Sequence, residues 1–224
     1  MKTVRAAFPP TLPILAAYWL IGLGYGLYAT RLGLAWWFPL VTAAIVFSGS
    51  VEFILATMFL GAFHPIATFT MAFLVGSRHI LYGLSMLDRF KGAGWRKFFM
   101  IFLLSDETFA LTFRCQPPRG INGHDFQLAV SILDWLYWLF GVAVGVFAAN
   151  LLEGVDFRGI EFIMTAMFAA IFAENWRTKE RHAGSLIGLV VPTLAVFLFG
   201  PDDFIVPAMF GILAVLLAFR RKLQ

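Results

Sequence analysis

The chain has 224 residues, of which 60% are hydrophobic and 13% are charged, and its mean hydropathy is +0.82. Soluble domains are about 45–50% apolar and about 25% charged, so this chain has more apolar side chains than a water-facing surface allows. The same numbers exclude disordered, collagen-like and disulfide-stabilised small proteins. Long apolar runs favour membrane helices over barrel strands, which would alternate. The composition therefore predicts an all-α integral membrane protein.

The net charge of +4 is typical of a membrane protein, because basic residues are concentrated in the cytoplasmic loops of membrane proteins. It does not indicate nucleic-acid binding. Cys115 is the only cysteine, which excludes an intrachain disulfide. The four histidines are scattered, and none has a second His or Cys close by. The sequence therefore predicts no metal site and no cofactor.

The apolar runs predict a polytopic bundle of about six to eight membrane segments in a single domain, residues 1–224. They lie at about 12–29, 34–61, 65–87, 98–113, 127–151, 159–174, 183–199 and 203–219. Lys2 and Arg5 before the first run imitate a signal peptide, but no convincing small-x-small cleavage site follows. We expect the first run to be a retained span.

Two runs have the wrong length for a straight span, which needs about 20 residues. The run 34–61 is too long and is interrupted by Ser48-Gly49-Ser50, whereas the run 98–113 is short and contains Asp106-Glu107. Both runs are predicted to be broken or re-entrant helices. Such backbone is tolerated at membrane depth only inside protein or beside a cavity, which marks both runs as functional candidates.

The loop charges support this topology. Loop 88–97, segment 175–182 and the C-terminal Arg220-Arg221-Lys222 are basic, so they and both termini are predicted to be cytoplasmic. Loop 152–158 and the short loop 200–203 are predicted to be external. Eight straight spans from a cytoplasmic N-terminus would place loop 88–97 outside, whereas two re-entrant segments keep every basic segment inside. Seven or eight plain spans remain the alternative.

The first candidate site is the break in 34–61, formed by Ser48, Gly49, Ser50 and Glu52. A broken helix exposes N–H groups that attract a carboxylate and carbonyl groups that attract a cation, and an amino acid zwitterion carries both charges. Ser48 and Glu52 are four apart and share a helix face. Glu52 is predicted to hold an ammonium group or a coupling proton, and the alternative is a neutral carboxyl that stabilises a kink.

Arg78 and His79 lie in the middle of the run 65–87. An Arg at that depth needs a carboxylate, either from a substrate or from Glu52, Asp106 or Glu107. The alternative is a structural ion pair that locks two helices. His79 is a candidate proton relay, although a structural role is favoured.

Asp106 and Glu107 point about 100° apart on a helix, so they are predicted to serve different partners. One is expected to pair with Arg78 while the other faces water; alternatively, the segment lies at the membrane interface. Asp134 is surrounded by Trp and Tyr residues, which predicts a position at headgroup depth without a functional role. Glu161 is expected only to complement a helix dipole.

Two pairs of small residues, Gly22-x-x-x-Gly26 and Gly141-x-x-x-Gly145, lie within predicted spans. Glycines four residues apart let two helices approach closely. We therefore expect both pairs to be packing contacts.

Three motifs in this order resemble the AzlC family, the large subunit of bacterial branched-chain amino acid exporters. They are Phe47-Ser-Gly-Ser-Val-Glu-Phe53, Gly76-Ser-Arg-His-Ile-Leu-Tyr-Gly-Leu-Ser85 and Leu104-Ser-Asp-Glu-Thr-Phe109. The similarity covers about residues 12–155. The family pattern resembles Phe-Ala-Gly-Ala-x-Gln-Phe and Asn-x-Arg-His, so the matching positions are Gly49, Phe53, Arg78, His79 and Asp106.

This sequence departs from the pattern at two positions, with Glu52 in place of Gln and Gly76 in place of Asn. The extra acid puts the substrate identity and the proton coupling in doubt. The resemblance implies a small hydrophobic partner subunit of the AzlD type, a bacterial inner-membrane location, and energy from the proton gradient instead of ATP.

The sequence thus predicts a subunit of a secondary exporter for branched-chain or other hydrophobic amino acids, and not an enzyme. One alternative is a carrier or channel for a different small zwitterion. Another is a scaffold subunit that transports nothing. A membrane-embedded enzyme is the weakest alternative, because no catalytic constellation is recognisable.

Overall fold

A computed structural model describes residues 2–61, 64–151 and 182–218, together with single positions between 162 and 177. The described residues form helices and no strand, which confirms the predicted all-α class. The chain divides into two compact units, Met1–Ile163 and Met164–Gln224, and the prediction of one domain stays a prediction. The expectations for 152–158, Glu161, Lys179, Arg181 and 220–222 fall outside the described residues.

The described helices of the first unit are joined by turns and short breaks. They are α1 (Lys2–Arg31), α2 (Trp37–Ile45), α3 (Gly49–Met58), α4 (Pro65–Gly76), α5 (Arg78–Ser85), α6 (Arg96–Phe102), α7 (Asp106–Arg114) and α8 (Gly123–Leu151). In the second unit, α9 (His182–Asp203) packs against α10 (Ile205–Ala218), and Gly200, with φ of 83°, kinks α9 near its end.

Three described helices are long and apolar enough to cross a membrane, namely α1, α8 and the portion His182–Gly200 of α9. A helix of 30 residues such as α1 extends about 45 Å, which exceeds the roughly 30 Å hydrocarbon core. Large apolar side chains remain exposed on the protein surface, for example Ile66 at 83%, Phe98 at 76% and Phe197 at 83%. A surface of this kind is stable in contact with lipid hydrocarbon, whereas its exposure to water is unfavourable.

The two long helices of the first unit, α1 and α8, form its most extensive helix–helix contact. The glycine pairs lie at this contact, as predicted. A Cβ added to Gly22 would come within 3.1 Å of the Trp138 carbonyl oxygen, and one added to Gly141 would come within 2.8 Å of the Tyr18 carbonyl oxygen. Gly26 and Gly145 are even closer to the opposite backbone. Only glycine permits this approach.

The predicted break in the run 34–61 is confirmed. Helix α2 ends at Ile45 and α3 begins at Gly49. Between them, buried Phe47 has a left-handed φ of 45°, and Ser48 is extended. A left-handed conformation costs a residue with a side chain about 1–3 kcal/mol, and such strain clusters at functional sites.

The run 98–113 is also broken as predicted, because α6 ends at Phe102 and α7 begins at Asp106. A third interruption, at Ser77 between α4 and α5, had no signal in the sequence pattern. The return of either broken helix to the side from which it entered stays a prediction.

Candidate functional site

Glu52 lies in the first turn of α3, directly after the break, and is 0% exposed. The Ser48 backbone N–H donates to Glu52 Oε1 at 3.0 Å. The indole Nε1 of Trp138 on α8 donates to the same carboxyl, 3.1 Å from Oε1 and 3.2 Å from Oε2. Ser48 precedes α3 with an extended backbone, so the contact to Glu52 is made by its backbone N–H and not by a side chain on a shared helix face. The carboxyl is held by neutral donors and does not contact Arg78.

The Trp138 ring also explains the glycine at the start of α3. A Cβ at Gly49 would lie 3.2 Å from the Cη2 atom of that ring. The ring in turn stacks on Tyr25 at 6.4 Å and meets Tyr18 edge-on at 5.5 Å. An aromatic wall from α1 and α8 therefore encloses the N-terminal end of α3.

Arg78 begins α5 and links three of the short helices. Its Nη2 donates to Ser50 Oγ of α3 at 2.9 Å and lies 3.0 Å from Asp106 Oδ2 of α7. The side chains of Arg78 and Asp106 are 36% and 31% exposed, so this ion pair is open on one side. The predicted carboxylate partner of Arg78 is thus Asp106, and Ser50 is its second partner.

His79 lies beside this ion pair. Its Nδ1 is 3.0 Å from the Gly76 carbonyl oxygen, which can only accept, so Nδ1 carries a proton. Its Nε2 lies 4.0 Å from Asp106 Oδ1. The ring also meets Tyr82 edge-on. His79 is anchored by the backbone and positioned next to Asp106, which agrees with a supporting role.

The second break positions Asp106 and Glu107 in the first turn of α7. Ser105 caps this helix, because its Oγ accepts the Thr108 N–H at 3.1 Å. The two carboxyls diverge as predicted, and the second one, Glu107, is half-buried, so that its facing water stays a prediction. The hydroxyl of Tyr18 on α1 donates to Glu107 Oε2 at 2.6 Å.

Asp134 is fully buried within the protein, which the sequence pattern did not predict. The headgroup depth predicted from its aromatic neighbours stays a prediction, whereas the side chain is 0% exposed inside the protein and accepts from Thr108 Oγ1 at 2.9 Å. A signal was available, because Asp134, Trp138, Gly141 and Gly145 recur at the spacing of a single helix face. That face carries the glycines of the α1 contact, so its polar members had to be buried too.

The site therefore lies where two broken helices meet α8. Trp138 contacts the first turn of α3, and Asp134 contacts the first turn of α7. Two donors beside the first break, Ser48 Oγ and Arg78 Nε, are buried and have no hydrogen-bond partner among the described residues. The first N–H groups of α3 also lack partners within the helix. This arrangement can accept an anionic group, with a carboxylate close by for a cation.

The sequence is similar to known membrane proteins along its whole length. Residues 13–152 match the AzlC protein family. The branched-chain amino acid transport protein AzlC of Bacillus subtilis is 36% identical over 98% of this chain and 86% of its own length. An uncharacterized membrane protein of Haemophilus influenzae is 32% identical over 100% of this chain and 91% of its own. The inner membrane protein YgaZ of Escherichia coli is 27% identical over 76% of this chain and 72% of its own.

No solved structure matches the chain. The family match covers more than half of the sequence and agrees closely with the range over which the three motifs resemble AzlC. Those motifs lie at the two helix breaks and at the start of α5, where the polar contacts of the site are concentrated. The chain is a membrane protein and belongs to the AzlC family.

Proposed function

We propose that this chain is the large subunit of a secondary active transporter that exports branched-chain or other hydrophobic amino acids, driven by the proton gradient. The observation that carries the proposal is the open Arg78–Asp106 pair beside the break before α3, with donors of Ser48 and Arg78 unused. The Bacillus subtilis relative, named as a branched-chain amino acid transport protein, supports the substrate class.

A zwitterion fits this ion pair without leaving a charge unpaired. The substrate carboxylate replaces Asp106 on the Arg78 guanidinium and receives N–H groups from the first turn of α3. The substrate ammonium then pairs with the released Asp106, which lies 3.0 Å from Arg78 before binding. An aliphatic side chain packs against nearby aromatic rings, such as Tyr82 and Phe109, whose centroids are 4.6 Å apart.

Glu52 belongs to the same site. Its role there is either to carry a proton that is coupled to transport or to determine which substrate binds. Its carboxyl holds the first turn of α3 to Trp138, so a change at Glu52 moves the N–H groups offered to the substrate. We further propose an AzlD-type small membrane subunit as partner. We also propose a bacterial inner-membrane location, which is supported by the similarity to the inner membrane protein YgaZ of Escherichia coli. The role is transport and not catalysis.

The proposed function is tested by reconstituting the chain with its small partner subunit in vesicles. Efflux of radiolabelled leucine, valine, isoleucine and methionine is measured under an imposed proton gradient. Movement that depends on the gradient supports a coupled exporter. Movement of the amino acid only down its own concentration gradient, with no accumulation beyond equal concentrations on the two sides, would indicate a channel. No movement of any of the four from an assembled complex would indicate a different zwitterion or a scaffold role.

Glu52→Gln is expected to keep the fold and to change transport. A Gln oxygen still accepts from the Ser48 N–H and from Trp138, so the first turn of α3 remains in place. Loss of the acid is expected to abolish transport or to shift its pH dependence and substrate preference. The measurement is leucine efflux at several pH values. Transport equal to that of the unsubstituted chain at every pH would contradict the assignment.

The proposed orientation has its own measurement. In a Cys115→Ser background, a cysteine placed at the exposed Lys97 is expected to react only with a reagent that reaches the cytoplasmic side. The reason is that loop 88–97 is the most basic described loop. If an impermeant thiol reagent labels this cysteine in intact cells, loop 88–97 lies outside. That result would contradict the two re-entrant segments and would favour a topology of plain spans.

A further inference from the structure

A chain of hydrogen bonds joins two carboxyl groups that the substrate scheme does not use. Tyr18 Oη lies 2.6 Å from Glu107 Oε2 and 2.7 Å from Ser105 Oγ. Ser105 Oγ lies 2.9 Å from Thr108 Oγ1, which lies 2.9 Å from Asp134 Oδ2. The chain therefore runs from Glu107 to Asp134 through three hydroxyl groups, which belong to α1, to the cap of α7 and to α7 itself.

The hydrogen atoms of this chain can be counted. Each of the four contacts needs one hydrogen, and the three hydroxyl groups carry one each. With both carboxyls ionised, the Tyr18 hydroxyl has to donate to both Glu107 and Ser105 with a single hydrogen. One further proton, on either Glu107 or Asp134, completes all four contacts.

The extra proton has two positions, and each of them completes the four contacts. With the proton on Glu107, every hydroxyl points toward Asp134. With the proton on Asp134, every hydroxyl points toward Glu107. The two states interconvert when Glu107 passes its proton to Tyr18 and each hydroxyl passes its own proton to the next group. The O–H bond at Glu107 breaks and one at Asp134 forms, so a single negative charge moves from Asp134 to Glu107.

Four of the five groups in this hydrogen-bond chain are shielded from water, and Glu107 is partly exposed. Asp134 and Thr108 are 0% exposed, and Tyr18 and Ser105 are each 5% exposed. Among the described residues, no Lys or Arg forms an ion pair with Asp134. The Asp134 Oδ1 atom is buried and has no hydrogen-bond partner among those residues. At the other end, Glu107 adjoins Asp106 and the Arg78 that pairs with it.

We propose that Glu107 and Asp134 share one proton through Tyr18, Ser105 and Thr108, and that this chain carries the proton of the transport cycle. The proposal rests on the proposed function. Movement of the charge to Glu107 brings it next to the Arg78–Asp106 pair, where it weakens the hold of Arg78 on a substrate carboxylate. The chain thereby links proton position to substrate binding across α8 and α7.

The transport test uses Thr108→Val, which removes the hydroxyl next to Asp134 at nearly constant volume. Exchange of radiolabelled leucine across vesicles at equal pH requires no net proton movement, so it is expected to persist. Leucine accumulation driven by an imposed pH gradient is expected to fall about tenfold or more, because the proton transfer step is lost.

Matched controls exist for this test. Thr112→Val also removes a buried hydroxyl of α7, but that hydroxyl donates only to backbone carbonyls. Tyr18→Phe is likewise paired with Tyr137→Phe, because the Tyr137 hydroxyl contacts Thr11 Oγ1, 3.0 Å away and outside the hydrogen-bond chain. Both controls are expected to retain gradient-driven accumulation. Undiminished accumulation in Thr108→Val, or equal loss of exchange and accumulation, would overturn the proposal.

A spectroscopic test does not depend on the substrate. In a Glu52→Gln background, the infrared absorption of a protonated carboxyl is measured for Asp134→Leu and for Glu107→Leu. Three hydroxyl hydrogens then serve three contacts, so the remaining carboxyl needs no proton and the absorption is expected to vanish in both variants. Persistence of the absorption in either variant would show that the carboxyls hold protons independently. If the unsubstituted complex moves no amino acid, the proposed function fails, while this spectrum still decides the shared proton.

Discussion

Substituting Arg78 by alanine is expected to lower leucine transport roughly 10- to 150-fold while the protein stays assembled. The magnitude is that of a lost charge-assisted hydrogen bond, about 1.5–3 kcal/mol. The reason is that Arg78 is the cation that contacts both the first turn of α3, through Ser50, and Asp106 of α7. The measurement is initial transport rate in vesicles against the quantity of complex recovered by size-exclusion chromatography.

The control is a second ion pair of similar exposure. Arg96 Nε lies 2.7 Å from Asp125 Oδ1, with side chains 33% and 41% exposed. Arg96→Ala is expected to leave transport within about twofold, because an exposed pair contributes only about 0–1 kcal/mol. Equal loss in the two variants would mean that Arg78 supports structure alone.

Arg78→Lys refines the same prediction. Lysine keeps the positive charge but lacks the planar fork that serves Ser50 and Asp106 together. An intermediate rate with weaker apparent affinity for leucine is therefore expected. A rate as low as that of the alanine variant would indicate that fork geometry, and not charge, decides binding.

Gly145→Leu is expected to produce the largest loss of stability. Any Cβ at this position enters the space of the Leu23 carbonyl group on α1, and backbone cannot rotate away as a side chain can. Overpacking of this kind costs about 1–3 kcal/mol and occasionally more. The expected result is a lower melting temperature in detergent and poor recovery of intact protein. Gly145→Ala is expected to show a smaller loss in the same direction.

Gly83→Ala is the matched control in the same unit. A Cβ at Gly83 meets nothing within 4 Å, and alanine favours the helix by up to about 1 kcal/mol. Its melting temperature is expected to be unchanged or higher. A Gly145 variant as stable as the Gly83 variant would show that α1 and α8 do not depend on this close approach.

The structure assigns different tasks to its long and short helices. Helices α1 and α8 pack closely against each other at their glycines. We expect this pair to keep its arrangement while other helices move. The short helices α3, α5 and α7 carry Ser50, Arg78 and Asp106, and contact one another through polar groups at their N-terminal ends. We expect conformational change during transport to involve the short helices, because the polar contacts among Ser50, Arg78 and Asp106 can be exchanged for contacts with a substrate.

Much of this architecture was predictable from local sequence. Composition determines the membrane class, since apolar residues in such excess can be solvated only by lipid. Run length and embedded polar residues predicted a break near Ser48-Gly49-Ser50 and another within 98–113, because an interrupted apolar run cannot form a straight span. Fourfold spacing identified the glycine pairs, because spacing along a helix determines which residues share a face.

Pairing across helices was not predictable in the same way. The sequence offered three carboxylates of the protein as ion-pair partners for Arg78. Only the packing of α5 against α7 shows that Asp106 is the partner. Tyr18 contacts Ser105 across 87 residues of sequence, and no local pattern reports such a contact. The burial of Asp134 was not predictable for the same reason, because aromatic neighbours in the sequence do not show which side chains face another helix. Burial is decided by the partner helix, and only the tertiary structure shows which helix that is.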